Sequence, residues 1–252
     1  MISKIIIYTF LWCTILCNQS FAQSLQDTTF ITEDLPPYNY LEDGHIKGIS
    51  IDILNAALTA VGIKKNMTEI EVYPWARGFR YALEFPNTCL FSTVRSKERE
   101  NLFKWAGPIT IFSCVFISKK GTVNIKTPRD AINYRISTLR KGVAHEILLK
   151  AGCSNEHIDL SPSVISMVRK LKKNRIDALF GNQNAIFRTI IRSGFSPEDY
   201  EVNYTFNVGE IYFAFNKKTP DSIVLELQRG IDIIRKNGKL GKIISTIPSN
   251  KK

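Results

Sequence analysis

Residues 163–180, SVISMVRKLKKNRIDALF, have the pattern of a helix followed directly by a strand. Ser163 is a residue type that caps helix N-termini. The apolar residues that follow it recur at the spacing of one helix face: Val164, Met167, Val168 and Leu171. Residues 176–180 are a short, almost continuous apolar run, which is typical of a strand buried on both faces. A helix that leads into a buried strand is the repeating unit of an α/β fold.

The same alternation extends in both directions from this unit. Strand patterns lie at residues 28–35, 69–73, 88–94, 109–118, 135–139 and 211–215. Helix patterns begin near Ser50, Ala76, Pro128, Gly142 and Pro220, and Gly62, Gly152 and Gly238 end three of them. This alternation predicts a mostly parallel sheet covered by helices, and such sheets bind ligands at the carboxyl ends of their strands.

Residues 1–22 have the organisation of a cleaved secretory signal. A short charged start precedes an apolar run at residues 5–16, and Ser20 and Ala22 are small residues at the positions that a signal peptidase recognises. The apolar run is shorter than the roughly 20 residues that a spanning helix needs. We therefore predict a signal peptide at residues 1–22, an exported chain that begins near Gln23, and a periplasmic location.

The exported chain is strongly basic. The formal net charge is +11, and loss of Lys4 with the signal leaves +10 (11 − 1). This charge is compatible with a solvated basic surface that is drawn to anionic membrane, or with an anionic ligand. Export removes the usual nucleic-acid partner, so we expect no nucleic-acid binding.

Cys89, Cys114 and Cys153 remain after export. Three is an odd number, and all three lie in apolar stretches, where free cysteine behaves as a small core residue. We expect no disulfide framework, although the sequence leaves a single bridge open.

Catalytic and cofactor motifs are absent from the sequence. It contains no phosphate-binding glycine loop, no nucleophile elbow and no zinc-binding helix motif. Glu33 and Asp34 are adjacent carboxylates, but neighbours on a strand face opposite ways, which disfavours a shared catalytic role. We expect no enzyme activity, no cofactor and no metal site.

Five stretches of the chain, taken together and in order, resemble one known family. They are residues 35–38 (LPPY) with 48–53 (GISIDI), 74–77 (PWAR), 96–108 (SKERENLFKWAGP), 175–180 (RIDALF) and 234–240 (IRKNGKL). This set is similar to the extracellular solute-binding proteins of family 3, the periplasmic receptors of ABC importers for polar amino acids. The segment at residues 96–108 is the most specific of the five.

The resemblance implies an α/β fold of the two-lobed periplasmic-binding-protein type, type II, with two crossing strands as a hinge. Lobe 1 would comprise residues 23–111 and 209–252, and lobe 2 residues 112–208. The strands would cross near residues 112–114 and 203–209. The implied role is amino-acid transport, as the monomeric substrate-binding protein that delivers a small ligand to an ABC transporter permease.

The resemblance also implies ligand contacts in the cleft. Arg99 matches the family arginine that binds the ligand carboxylate, and a planar guanidinium suits that group. Ser96 would add a hydroxyl, and Trp75 would stack on the ligand. Further candidates are Tyr38, Arg77, Gly142, Val143 and Asn182.

The ligand predicted by these residues is a small solute with a carboxylate, either amino-acid-like or anionic. Asn182 stands where the family's amino-acid receptors usually carry an aspartate for the α-ammonium group, and a neutral amide supplies no charge. Several cations are expected near the cleft, which favours an anion: Arg77, Arg95, Arg99, Arg140 and Lys141.

Two alternatives stay open. One is a sensor module that reports the ligand to a membrane partner. The other is a periplasmic lyase or dehydratase on the same fold, whose acid or base would come from Glu33, Asp34, His145 or Glu210. The same carboxylates could also supply the charge for a ligand ammonium that Asn182 lacks.

Overall fold

The computed structural model describes residues 24–246, in which strands and helices alternate. The strands are β1 (Thr29–Thr32), β2 (Tyr40–Glu42), β3 (His45–Lys47), β4 (Glu71–Val72), β5 (Thr88–Val94), β6 (Phe103–Lys119), β7 (Ile136–Leu139), β8 (Ile158–Ser161), β9 (Ala178–Gly181) and β10 (Tyr200–Asn216). The α-helices are α1 (Ile49–Ala60), α2 (Trp75–Glu84), α3 (Val143–Lys150), α4 (Val164–Lys172), α5 (Gln183–Arg192), α6 (Asp221–Lys236) and α7 (Lys239–Ile244). The predicted signal peptide lies outside the described residues.

Eight strands form one sheet in the order β4-β1-β5-β10-β6-β9-β7-β8, and β2 and β3 form a separate hairpin. The pairs β1–β4, β1–β5, β7–β8 and β7–β9 are parallel, as predicted. The central strands β6 and β10 are antiparallel to each other and to their outer neighbours. The sheet is therefore mixed, and the prediction of a mostly parallel sheet is wrong at its centre.

The strands β6 and β10 contain 17 residues each and run through both halves of the sheet. Gly209 of β10 pairs with Phe112 of β6 where the two strands pass from one half to the other. On one side of this point β10 pairs with β5, and on the other side β6 pairs with β9. The two halves of the sheet, with their helices, are called lobe 1 and lobe 2 below.

The start of each helix can be compared with the residues that the sequence analysis singled out. The α4 helix begins at Val164 and is capped by Ser163, whose side chain accepts a hydrogen bond from the Ser166 amide, as predicted from residues 163–180. The α1 helix begins at Ile49, with Gly48 rather than the predicted Ser50 as its cap. The predicted helix near Pro128 is a 3₁₀ helix, Pro128–Asn133.

Two features of the described residues bear on the earlier expectations. Within residues 24–246, no helix is long and apolar enough to cross a bilayer. Cys89, Cys114 and Cys153 are all free and buried, so the single bridge that the sequence left open is not formed.

Candidate functional site

A cavity of about 60 Å³ lies between the lobes, beside the crossing strands. Four chain segments that follow strands contribute to it: Glu33 after β1, Arg99 after β5, Gly142 after β7 and Asn182 after β9. These strands are parallel within each lobe, so their carboxyl ends meet at the cleft, as predicted. The remaining lining residues are Leu35, Trp75, Ser92, Val94, Phe112, Cys114, Thr138, Leu139, Val143, Ala144, Val164, Met167, Phe180, Gly181, Ala185 and Ile186.

Arg99 is the one cationic side chain among these lining residues. The exposed fraction of the whole residue is 1%, and its guanidinium lies over the rings of Trp75 and Phe79, 5.4 Å and 5.2 Å from the ring centroids. Burial lowers the pKa of Arg99, and the carboxylate of Glu146 opposes that shift. A guanidinium keeps its proton under these conditions, so the cavity carries a buried positive charge that must be compensated.

Glu146 of lobe 2 supplies that compensation. Arg99 Nε donates to Glu146 Oε1 at 2.8 Å, and Arg99 Nη2 lies 2.7 Å from the same oxygen. Ser96 Oγ donates to Glu146 Oε2 at 3.1 Å. Both oxygens of Glu146 are therefore held by residues of lobe 1.

The backbone carbonyl of Lys141, just before α3, also connects the lobes. It accepts a hydrogen bond from Trp75 Nε1 at 2.8 Å and another from Arg99 Nη2 at 3.1 Å. The lobes are thus closed against each other along the edge of the cavity.

Glu33 is the only carboxyl among the lining residues. Burial, with a smaller contribution from the charge of Asp34, raises the pKa of Glu33 to about 8, although Arg99 opposes the shift. Near neutral pH the protonated form of Glu33 therefore predominates, and that form can both donate and accept a hydrogen bond.

The other polar groups of the cavity are few, and most are engaged. The Ser92 hydroxyl is hydrogen-bonded to Asn39 and Ser50. Asn182 Oδ1 accepts from the Ala185 amide at 3.0 Å and caps α5. Thr138 Oγ1 is buried and has no hydrogen-bond partner among residues 24–246, so a ligand can supply one.

The rest of the wall is apolar. Leucine, valine, phenylalanine, methionine and isoleucine side chains come from both lobes. Val143 and Ala144 at the start of α3 add no hydroxyl group. The geometry fits a solute with one anionic end and a largely apolar body.

A sequence model of the bacterial extracellular solute-binding proteins, family 3, matches residues 28–246. This chain belongs to that family. The match spans almost all the described residues and confirms the resemblance inferred from five short stretches. The protein is therefore a solute-binding protein of the periplasmic or extracellular space.

Solved structures with the same fold confirm the two-lobed α/β architecture. A histidine kinase sensor domain with similarity to periplasmic binding proteins is 16% identical, with a TM-score of 0.78, covering 89% of this chain and 97% of that chain. An ancestral arginine-binding protein bound to arginine is 15% identical, with a TM-score of 0.74, covering 88% and 98%. An arginine-specific periplasmic binding protein of Salmonella typhimurium is 16% identical, with a TM-score of 0.69, covering 86% and 97%. Among curated proteins, no sequence matches this chain.

Some of the predicted contact residues line the cavity, and others do not. Trp75, Arg99, Gly142, Val143 and Asn182 all line the cavity.

The other three predicted contact residues lie outside the lining. Ser96 is engaged with Glu146 at its edge. Tyr38 is buried, and its hydroxyl donates to the Ile111 carbonyl at 3.3 Å. Arg77 lies over the ring of Tyr73, 4.1 Å from its centroid, and does not line the cavity.

The expectation that several cations approach the ligand is corrected by the structure. Arg95 forms an ion pair with Glu100 at 2.6 Å, and Arg140 and Lys141 have exposed side chains. Of the five expected cations, only Arg99 lines the cavity. The reason is the strand geometry: Arg95 points to the opposite face, where it lies over the ring of Tyr212.

Sequence reasoning missed Glu146 and Thr138 as parts of the site. Thr138 directly precedes the last residue of β7, so its place at a strand end was a usable signal. Glu146 lies one turn into α3 and becomes relevant only through its contact with Arg99, 47 positions away. No local pattern marks such a contact.

Proposed function

We propose that this protein is the periplasmic receptor of an ABC importer, and that it closes its lobes around a small monocarboxylate with an uncharged, largely apolar body. The observation that carries the proposal is the single buried cation, Arg99, in a cavity with mostly apolar walls. A charge-assisted pair with a carboxylate is the strongest interaction this cavity can offer to a ligand. The apolar walls contribute by removing apolar ligand surface from water.

A zwitterionic amino acid fits this cavity less well. Asn182 is an amide whose oxygen is already used in the cap of α5. Glu33 is the only carboxyl that lines the cavity, and its raised pKa leaves the neutral form predominant near pH 7. A buried ammonium group without a counter-charge is costly. The ligand named for two of the similar structures is arginine, and we propose that this cavity takes a different class of solute.

A sensor role is the second candidate function. The histidine kinase sensor domain has a TM-score of 0.78 to this chain, and its length is covered to 97%. In that case the same closure around a carboxylate would be read by a membrane partner instead of a permease. The ligand chemistry proposed for the cavity is the same in both roles.

A thermal-shift screen of the exported chain tests the ligand class. The panel pairs each apolar carboxylic acid with its amide, and each amino acid with its deaminated and N-acetyl analogues. A ligand at 100 times its dissociation constant should add about 2.7 kcal/mol to the free energy of unfolding. We expect acids to stabilise and their amides to fail, with deaminated and N-acetyl forms at least as effective as the amino acids.

Tighter binding of the free amino acid than of both analogues would contradict the proposed ligand class and direct attention to Glu33 beside the ligand nitrogen. Mass spectrometry of the same mixtures separates binding from catalysis, since appearance of a product would replace the receptor with an enzyme.

A further inference from the structure

Glu146 occupies the position in which the family resemblance places the ligand carboxylate. Its Oε1 atom is bound by Arg99 at 2.7 Å and 2.8 Å, and its Oε2 atom by Ser96 at 3.1 Å. These are the two residues that the family resemblance assigns to the carboxylate of a solute. The protein thus fills its own carboxylate site with a side chain from lobe 2.

The burial of the pair distinguishes it from an ordinary surface ion pair. The exposed fraction of the Arg99 side chain is 2%, and that of Glu146 is 23%. The neighbouring pair that also joins lobe 1 to α3, Glu98 with Lys150 at 2.7 Å, is 42% and 59% exposed. An exposed pair contributes little to stability, whereas loss of one partner of a buried pair leaves an uncompensated charge and is strongly unfavourable.

We propose that Glu146 is an internal occupant of the carboxylate site that holds the lobes closed without ligand, and that a solute carboxylate binds by displacing it. The identity of the displacing group rests on the proposed function, while the closure by Glu146 does not. Because Glu146 is tethered to the same chain, it competes at a high effective concentration. A bare carboxylate therefore loses to Glu146, and a solute must also fill the apolar cavity to bind. Glu146 is in this sense a residue that determines specificity.

Trp75 provides a direct readout of closure. Its indole N–H bonds to the Lys141 carbonyl across the cleft, and its side chain is buried. The sequence has three tryptophans, of which Trp12 lies in the predicted signal, so a Trp105→Phe background leaves Trp75 as the sole reporter in the exported chain. Opening of the cleft exposes Trp75 to water, which shifts its emission to longer wavelength and increases quenching by acrylamide.

In this background we expect Glu146→Ala to open the cleft. Acetate should then restore the blue emission and the protection from quenching, because the free carboxylate takes the vacated place on Arg99. Three controls should leave the emission unchanged. One is sodium chloride at equal ionic strength, added to Glu146→Ala in place of acetate. The other two add acetate to the protein with Glu146 intact and to an Arg99→Ala/Glu146→Ala double variant. Glu98→Gln is the matched control, since it removes the exposed pair on the same face and should leave Trp75 protected.

The inference is overturned if Glu146→Ala is as closed as the parent, or if acetate has no more effect than chloride. Far-UV circular dichroism establishes that each variant is folded. If Glu146→Ala does not fold, the isosteric Glu146→Gln replaces it with a second measurement. A carboxylate found in the screen should bind Glu146→Gln about tenfold or more tightly than the parent, which corresponds to about 1.4 kcal/mol.

The failures of the two proposals differ. Suppose that a carboxylate ligand depends on Arg99 but binds Glu146→Gln no more tightly than the parent. That result would contradict the role of Glu146 as internal occupant and leave the proposed function standing. Rescue of Glu146→Ala by acetate, in a protein whose solute is indifferent to loss of Arg99, would support the internal occupant and contradict the proposed ligand.

Discussion

Among residues 24–246, Arg99 is the largest side chain that is almost completely buried, and it carries a positive charge. Three groups stabilise the guanidinium: the Glu146 carboxylate, the Lys141 carbonyl and the faces of Trp75 and Phe79. Such an arrangement is unfavourable as a mere structural pair, since apolar residues of similar volume often stabilise a core as well or better. A buried arginine in a cleft is therefore better explained by ligand binding than by stability.

The Arg99→Ala variant should lose binding of any carboxylate solute and remain folded. Removing one partner of a desolvated charge pair costs about 2–5 kcal/mol in affinity, which is roughly thirtyfold or more. Isothermal titration calorimetry with a carboxylate from the screen measures the loss, and circular dichroism establishes the fold. Unchanged affinity in a folded Arg99→Ala protein would refute the assignment of Arg99 to the ligand.

The Glu33→Gln variant should remove a pH dependence of stability. The pKa of Glu33 is raised to about 8 in the folded protein, from 4.5. The folded state therefore holds the proton more tightly than the unfolded state, and the contribution of Glu33 to stability is complete below pH 4.5 and declines as the pH rises towards 8. The slope is at most about 1.4 kcal/mol per pH unit. Urea unfolding of both proteins from pH 5 to pH 9 should show a difference that grows with pH in favour of Glu33→Gln; parallel curves would place Glu33 in a more hydrated site.

At the scale of elements, helices α1 and α6 approach each other closely in lobe 1 because α6 has a glycine at the contact. A Cβ atom at Gly230 would overlap the backbone carbonyl of Ala57 on α1. Backbone atoms cannot move aside as the end of a flexible side chain can, so the helices would have to separate.

Gly230→Ala should therefore destabilise the protein by about 1–3 kcal/mol, the usual cost of overpacking a core. The matched control is Gly241→Ala in α7, where a Cβ atom meets nothing within 4 Å. That substitution should be neutral or stabilising by up to about 1 kcal/mol through helix propensity. Chemical denaturation measures both, and equal effects of the two substitutions would contradict the close contact between α1 and α6.

The sequence predicted best the elements that are marked by a pattern of apolar residues within the element itself. The strand predicted at residues 88–94 is β5, fully buried along its length, and the helix predicted to begin near Ala76 is α2, which begins one residue earlier at Trp75. The apolar pattern predicted the strand β10 only at residues 211–215, where four of the five residues are buried, and the crossing segment at residues 203–209 was expected from the family resemblance alone. Residues 201–210 mix exposed and half-buried positions while they cross between the lobes, and pairing with β6 rather than burial keeps them extended.

The same reasoning applies to the site. Arg99 and Trp75 could be found because they belong to short sequence stretches with a recognisable order. The pairing of Arg99 with Glu146 could not, because it depends on how lobe 2 closes on lobe 1. The orientation of Arg95 away from the cavity follows from strand alternation, but its pairing with Glu100 required the structure.

On the scale of the whole molecule, the charge of the exported chain has to be reconciled with a cavity that contains a single cation. Two ion pairs lie at the mouth of the cleft, and each is close to neutral as a pair. They are Arg188 with Glu42 at 3.8 Å and Arg192 with Asp34 at 4.0 Å. We infer that the excess of +10 predicted for the exported chain (11 − 1, after loss of Lys4) is spread over the surface, since the cavity lining contributes Arg99 alone. Such a field attracts anions over distance and affects encounter more than affinity.

The association rate of a carboxylate solute should therefore fall with rising salt, while its dissociation rate stays nearly constant. The screening length shortens from about 10 Å at 0.1 M salt to about 3 Å at 1 M, which removes long-range attraction but leaves the buried contact with Arg99 largely unscreened. Stopped-flow measurement of Trp75 emission in a Trp105→Phe/Glu146→Ala background, in which the ligand-free cleft is expected to be open, gives both rates across this range. An uncharged ligand of similar size, if the screen provides one, is the control and should show a flat association rate. A carboxylate whose association rate is equally flat would show that the basic surface does not serve ligand capture, and binding of the exported chain to vesicles with anionic lipid would then be the next measurement.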